Sequence, residues 1–177
     1  MICIDIGGHY KMMLKSYFTI PGFRFTFWYR VTGFLAKSSV IFRPLYFVSI
    51  LIFRHYSFKY GIAIPSQTKI CKGFYIGHFS SIIVSMDDVI GSNVNISQGV
   101  TIGASSRGKN MGAPKIGNNV YIGPGAKIFG NISIGDNVAI GANAVVNMSI
   151  PSNAVVGGIP AKILSLDGAN GYVNRTV

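Results

Sequence analysis

The sequence contains few acidic residues and few charged residues of either sign. Only five of its 177 residues are Asp or Glu, and charged residues make up 12% of the chain. Because 16 residues are Lys or Arg, the formal net charge is still +11, which favours phosphate groups or anionic lipid head groups as partners. The chain shows no Lys/Arg run, RNA-binding signature or zinc spacing, so we expect no nucleic-acid partner.

Cysteine is equally scarce. Cys3 and Cys71 are too few and too far apart for a disulfide framework or a metal site, so no metal is expected. Cys71 directly follows an isoleucine of the repeat described below, which predicts a small buried thiol. The N-terminus lacks the basic region, clean apolar stretch and small-residue cleavage site of a secretory signal, and we expect a cytoplasmic protein.

Long uninterrupted apolar runs are missing. The most apolar stretch, residues 40–53, is broken by Arg43 and Pro44 and falls far short of the ~20 residues that span a bilayer. Two interpretations stay open. The stretch is either a helix packed on the domain or on another subunit, or a helix lying on an anionic inner leaflet with Arg43, Arg54 and Lys59 at the head groups.

What the sequence does contain is a six-residue repeat rich in isoleucine and glycine. Aliphatic residues recur in three series: Ile64, Ile70, Ile76 and Ile82; Ile90, Ile96 and Ile102; Ile116, Ile122, Ile128, Ile134, Ile140 and Val146. This period suits neither an α-helix nor a plain β-meander. It predicts a β-solenoid in which three hexads close one triangular coil.

The repeat divides the chain into three parts. Residues 61–164 form the predicted solenoid, whose open ends are unpaired strand edges that must be covered. Residues 1–60, rich in aromatic and helix-compatible segments, are expected to cover one end, and the tail 165–177 the other. Two segments break the period, 82–89 and 103–115, and a solenoid accommodates such insertions as loops at its corners.

The hexads and three stretches of the sequence carry a resemblance to a known family. The hexads, "GHFSSIIVSMDDVIGSNVNISQGVTIGA", "PKIGNNVYIGPGAKIFGNISIGDNVAIGANAVV" and the closing "GGIPAKI" resemble the hexapeptide-repeat acyltransferases. Within them, the serine acetyltransferases and the related acetyltransferases of polysaccharide biosynthesis are most similar. The resemblance implies a mainly β protein with a left-handed parallel β-helix, acetyl-CoA as donor and a homotrimer. Apolar solenoid sides, carrying Ile83, Val84 and Tyr121, also favour a trimer.

The resemblance places His78 at the position of the family's general base, whose neutral imidazole takes the proton of an acceptor hydroxyl. Either Asp87 or Asp88 orients His78 or contacts the acceptor, or both are solvated turn residues. Phe79 and Tyr75 offer aromatic faces to the acceptor. The positions that match the family's CoA groove are Ala104, Pro124 and Ala142, with Lys127 or Lys162 at the phosphates.

Three departures from the serine acetyltransferases concern the acceptor. Where that family has an Asp that orients the histidine, an acidic residue before it and a second histidine, this chain has Ala63, Gly77 and Ala113. We therefore expect a sugar hydroxyl of a capsular polysaccharide, an exopolysaccharide or a precursor. A lipid-linked saccharide would account for the basic, aromatic N-terminus. The alternatives are serine O-acetylation, amino-sugar N-acetylation and an inactive solenoid scaffold.

Overall fold

A computed structural model describes residues 10–173 and 176–177; Cys3 lies outside them. The described chain begins with three helices: α1 (Tyr10–Thr19), α2 (Pro21–Leu35) and α3 (Arg43–Tyr60), the last preceded by a 3-10 turn (Val40–Phe42). Pro21 and Pro44 occupy first turns, where the fixed φ of proline suits a helix start. Gly61, with a φ of 59°, ends α3 in the left-handed conformation.

Fifteen short strands follow within the described residues. They are β1 (Ile62–Ala63), β2 (Lys69–Ile70), β3 (Tyr75–Ile76), β4 (Ile82–Val84), β5 (Val89–Ile90), β6 (Asn95–Ile96), β7 (Thr101–Gly103), β8 (Lys115–Ile116), β9 (Tyr121–Ile122), β10 (Lys127–Phe129), β11 (Ser133–Ile134), β12 (Ala139–Ile140), β13 (Val145–Val146), β14 (Val155–Gly157) and β15 (Lys162–Ser165).

Strands three apart in sequence are neighbours in space from β1 to β13, and β14 and β15 then extend the third sheet beyond β12. The first sheet has the order β1-β4-β7-β10-β13, the second β2-β5-β8-β11, and the third β3-β6-β9-β12-β14-β15. All pairs are parallel except β14 with β15. Each coil therefore contributes one strand to each of three sheets, which confirms the predicted solenoid.

The repeat isoleucines stack in register inside the solenoid. In the second sheet Ile70, Ile90, Ile116 and Ile134 pair in succession and are all buried. Burying one such side chain stabilises the fold by about 1.5–3 kcal/mol. Because side chains alternate along a strand, the residue after a buried isoleucine faces outward. Cys71 is accordingly exposed, and the prediction of a buried thiol was wrong.

The outer sides are less apolar than the sequence suggested. Along β4, Ile83 is 50% exposed, but its neighbour Val84 points into the core. The prediction that Val84 faces outward was wrong, because adjacent residues of a strand point to opposite faces, and Ile83 takes the outer one. Tyr121 is covered in part by Tyr172 of the tail, whose ring stacks on it at 4.9 Å.

The helices cover one open end of the solenoid. α2 approaches β3 at Gly22, where an added Cβ would lie 2.3 Å from the carbonyl oxygen of Ile76, so only glycine allows this contact. Four aromatic side chains of α2 and α3 continue the core beyond the first coil. They are Phe25, Tyr29, Phe53 and Tyr60.

Side chains of α2 also satisfy the backbone of the exposed strand edge. The Tyr29 hydroxyl donates a hydrogen bond to the carbonyl oxygen of Thr68. The Arg30 guanidinium donates to the carbonyl oxygens of Ile70 and Cys71. β2 is the edge strand of the second sheet, and no strand pairs with it on the side of the helices. The side chains of α2 thus provide hydrogen-bond donors for three carbonyl oxygens in or next to β2.

The tail takes a different course from the one expected. β15 pairs antiparallel with β14 at the edge of the third sheet, but the following residues turn back along the corner between the second and third sheets. There the Gly168 amide donates to the carbonyl oxygen of Asn153 at 3.0 Å, and the Val177 amide to Oδ1 of Asn93 at 3.0 Å. Beyond β15, the described tail lines a side of the solenoid rather than covering its end.

Candidate active site

The corner that holds His78 is longer than the other corners in its row. Ile76 pairs with Ile96 in the third sheet, and Val84 with Ile102 in the first. Val84 comes eight positions after Ile76 in the earlier coil, whereas Ile102 comes six positions after Ile96 in the next coil. The two extra residues therefore lie in the corner loop around His78, between β3 and β4.

This position corrects the sequence interpretation, which placed the irregular step at 82–89. The structure aligns Val84, not Ile82, with the repeat position of the next coil. Both side chains are buried, because β4 sends two residues, two positions apart, into the core. Counting aliphatic residues alone could not choose between them.

The His78 loop has an unusual backbone. Ser80 and Ser81 have φ angles of 105° and 53°, in a region that costs a non-glycine residue of order 1–3 kcal/mol. The carbonyl oxygen of Ser80 accepts a hydrogen bond from the Gly99 amide at 2.9 Å, while the His78 side chain is exposed. The loop is thus anchored to the next coil and presents its imidazole to solvent.

A row of hydrogen-bonded turns continues from this loop along the same corner. The Gly125 amide donates to the carbonyl oxygen of Gln98 at 2.9 Å, and the Asn143 amide to that of Pro124 at 2.8 Å. Pro124 and Ala142 occupy equivalent places in successive coils of this row. Ala104 follows β7 and lies at the corner between the first and second sheets. The structure thus aligns two of the three small residues expected beside CoA.

The two candidate phosphate-binding lysines lie in different surroundings. Lys127, on the outer face of β10, donates from Nζ to the carbonyl oxygen of Gly99 at 2.5 Å and to Oγ1 of Thr101 at 3.1 Å. Its ammonium group is therefore held beside the row of turns yet stays exposed. Lys162 is exposed at the start of β15.

The two aromatic candidates flank the His78 loop. The Phe79 ring lies 5.2 Å from the ring of Tyr60 in α3, and the Tyr60 hydroxyl accepts a hydrogen bond from Arg24 at 2.8 Å. Tyr75, half-buried on β3, lies against Gly77, where an added Cβ would be 3.4 Å from the tyrosine ring. No local sequence pattern predicts that α3 contacts this loop.

Asp87 and Asp88 lie at another corner, between the first and second sheets, and not beside His78. Asp88 is 0% exposed, so the expectation of a solvated turn residue was wrong for it. Its Oδ2 accepts a hydrogen bond from the Ser85 amide at 2.8 Å, but Oδ1 has no partner. Burial raises the pKa of Asp88 to about 6, with a smaller contribution from Asp87. Asp87 is exposed.

An open cleft of about 490 Å³ borders the His78 loop on the outer face of the first sheet. Its wall includes Gly61, where an added Cβ would lie 3.3 Å from the Ser81 amide nitrogen. The remaining lining residues are apolar except for one serine: Ser57, Phe58, Ile62, Ala63, Ile64, Pro65, Ile83 and Val84. Among the described residues, no titratable side chain lines this cleft. Ala113 is half-buried in the loop before β8.

Among the residues that the structure describes, no three His, Cys, Asp or Glu side chains are grouped to hold a metal ion. None of the described helices has the length and apolar character needed to cross a bilayer.

Comparisons with known proteins identify the repeat. Residues 113–147 match the family model "Bacterial transferase hexapeptide (six repeats)". Serine acetyltransferases of Staphylococcus aureus strain Mu50 and of a Staphylococcus epidermidis strain are each 45% identical over 108 residues, which cover 61% of this chain and 51% of theirs. The chain therefore spans about half the length of these curated relatives.

Solved serine acetyltransferases share the fold. A complex with CoA has a TM-score of 0.67 at 33% identity, covering 82% of this chain and 57% of that chain. The Brucella abortus strain S19 enzyme has a TM-score of 0.70 at 26% identity, covering 90% and 70%. These structures have a left-handed β-helix, which confirms the predicted fold class. The chain is therefore similar in sequence and fold to serine acetyltransferases, and residues 113–147 carry the hexapeptide repeat of bacterial transferases.

Proposed function

We propose that the protein is an acetyl-CoA-dependent O-acetyltransferase in which His78 is the general base. The observation that carries the proposal is the His78 loop, which is lengthened, exposed and continuous with a row of turns containing Pro124 and Ala142. Small side chains in this row leave room for an extended pantetheine beside the backbone. The similarity to a serine acetyltransferase solved with CoA supports the same donor.

The chemistry requires only a base and a bound thioester. An alcohol is too weakly acidic to be ionised at neutral pH, so the imidazole of His78 takes its proton as the oxygen attacks the acetyl carbonyl. The carbon–sulfur bond then breaks, and the proton passes to the departing thiolate to give free CoA and the acetyl ester.

Serine is the acceptor that the comparisons support, since the relatives reported above are serine acetyltransferases. They give no support to a saccharide. One observation favours a neutral sugar as a second candidate: the described lining of the cleft beside the His78 loop includes no titratable side chain, and Ala63 lies in its wall. Desolvating the ammonium and carboxylate of serine without partners costs several kcal/mol.

The general base can be tested with His78→Ala. Release of free CoA from acetyl-CoA should fall by about 10²–10⁴, the contribution of a general base, while acetyl-CoA binding measured by calorimetry stays the same. His55→Ala, an exposed histidine on α3, is the matched control and should keep full activity. An unchanged rate for His78→Ala at saturating acceptor would remove His78 from the mechanism.

The acceptor can be tested with the same assay on L-serine and on a panel of neutral saccharides. Turnover with L-serine supports the first candidate, and turnover confined to saccharides supports the second. Hydrolysis of acetyl-CoA without transfer to any hydroxyl would argue against both, and a preference for amino sugars would indicate N-acetylation.

We also propose that a homotrimer completes the site. Within the described part of the chain, His78 makes no hydrogen bond to another side chain, although a general base is normally oriented by a bond to its second ring nitrogen. A neighbouring protomer can supply that group. Sedimentation equilibrium should give the mass of three chains, and a monomer at micromolar concentration would contradict the proposal.

A further inference from the structure

An apolar ridge runs along the helices that cover the solenoid. α3 turns Ser49 and Phe53 inward, and its opposite side exposes Phe47, Leu51 and Phe58 by 61%, 66% and 79%. Spacings of four and seven residues place these three on one helix face. The 3-10 turn before α3 adds three exposed apolar side chains: Val40, Ile41 and Phe42. Large exposed apolar side chains grouped on one helix face in this way mark an interaction site.

The charge around the ridge has one sign. Between residues 10 and 62 the chain has no Asp or Glu and eight basic residues: Lys11, Lys15, Arg24, Arg30, Lys37, Arg43, Arg54 and Lys59. Arg43, Arg54 and Lys59 are exposed on α3 itself. An apolar stripe flanked only by cations suits a partner with an apolar interior and an anionic surface.

A hollow at the start of α3 adds a polar feature next to the ridge. It has a volume of about 240 Å³ and is lined by Leu35, Ala36, Ser38, Val40, Arg43 and Tyr46. The Arg43 guanidinium and the hydroxyls of Ser38 and Tyr46 are groups that bind phosphate oxygens. Val40 belongs to both the hollow and the ridge, so a phosphate bound here would lie beside the apolar surface.

We propose that the helical segment 10–60 docks on a bilayer that contains anionic lipids. The ridge lies at the boundary between head groups and acyl chains, and the exposed side chains of Arg43, Arg54 and Lys59 contact lipid phosphates. A second copy of the same surface suits the ridge less well. It would bring the same cations and, within the described residues of the helices, no acidic group to pair with them.

Docking in this way would orient the candidate active site. Phe58 belongs to the ridge and also lines the cleft beside the His78 loop. The cleft would then open close to the membrane surface. The docking itself does not depend on which acceptor the cleft takes, so it can be tested without an activity assay.

The test is flotation of the full-length protein with vesicles. Vesicles with about 30% phosphatidylglycerol in phosphatidylcholine should carry the protein upward, and pure phosphatidylcholine should carry far less. Raising NaCl from about 0.1 M to about 0.5 M should weaken the binding, because the screening length shrinks. Equal flotation with both vesicle types, or none with either, would overturn the proposal.

Variants identify the surface. Phe47→Ser with Leu51→Ser should reduce vesicle binding by about tenfold or more, because two exposed apolar side chains no longer enter the boundary. The matched control is Leu164→Ser with Leu166→Ser, which are exposed at the other end of the chain by 68% and 66%. This pair should float like the unaltered protein.

Two more measurements separate the alternatives. Arg43→Gln with Arg54→Gln should lower binding to anionic vesicles, whereas Lys115→Gln on β8 should not. Acetyl-CoA binding by each variant shows that it is folded. If Phe47→Ser with Leu51→Ser lowers the sedimentation coefficient in the absence of lipid and leaves flotation unchanged, the ridge is a contact between copies of this chain and the proposal is wrong.

Discussion

Replacing Asp88 by Asn should change how stability depends on pH. Asp88 is completely buried, its Oδ1 has no partner, and its pKa is raised to about 6, chiefly by burial. Because the pKa of Asp88 is higher in the folded state than in the unfolded state, the folded protein is more stable when this carboxyl is protonated. The cost of ionising it is therefore absent below the unfolded-state pKa of 3.8 and complete once the pH exceeds the folded-state value.

The size of the effect follows from the difference between the two pKa values. About two pH units correspond to about 3 kcal/mol. Considered alone, this group makes the protein lose up to about 3 kcal/mol of stability as the pH rises from about 4 to about 7. Asn keeps an oxygen that can accept the Ser85 amide but carries no charge, so Asp88→Asn removes the pH-dependent cost.

Urea unfolding at several pH values, at one protein concentration, measures the difference between the two proteins. Asp88→Asn should be more stable at pH 7.5 by up to about 3 kcal/mol, and the advantage should shrink to below about 1 kcal/mol near pH 4. Asp87→Asn, at the exposed neighbour, is the matched control and should show only a much smaller trend, because the Asp87 charge makes a minor contribution to the raised pKa of Asp88. If the stability difference between the two proteins stays constant across the pH range, folding does not raise the pKa of Asp88 and this reasoning is wrong.

Three other changes test the packing around the site. Gly22→Val should lower the free energy of unfolding by about 1–3 kcal/mol, measured by urea denaturation, because its Cβ would meet the Ile76 carbonyl; unchanged stability would mean that α2 does not lie there. Ala142→Trp should raise the KM for acetyl-CoA with little change in Tm, and normal CoA binding by calorimetry would place the groove elsewhere. Tyr60→Ala should lower kcat more than it raises the KM for acetyl-CoA, because Phe79 loses the ring that positions the His78 loop; kinetics equal to those of the unaltered protein would show that the contact is irrelevant.

The overall architecture could be predicted because a six-residue period is a local and repeated signal. Ile70, Ile90 and Ile116 occupy the positions that counting assigns to them. The register failed at Ile82 because Val84 is equally apolar and only strand pairing distinguishes the two. Periodicity thus determines which residues face inward on average, but not where an insertion falls.

The site was predictable only where a single side chain carries the chemistry. His78 stands out because it is the one imidazole within the repeat. The hydrogen bond from Arg24 to Tyr60 and the ring contact of Tyr60 with Phe79 join residues far apart in sequence. No local sequence pattern predicts them. The burial of Asp88 was missed for a related reason, since an Asp-Asp pair in a turn usually indicates exposure.

The hydrogen bonds that α2 makes to the first coil also limit how the protein can assemble. A parallel solenoid is a short piece of a structure that could in principle grow without end, because each coil templates the next through the same backbone spacing. Tyr29 and Arg30 occupy the carbonyl oxygens on which another chain's coil would have to pair. These two side chains therefore block end-to-end polymerisation of the solenoid. A chain that lacks the residues before Gly61 would have an unpaired strand edge at its first coil, from which fibrils can grow.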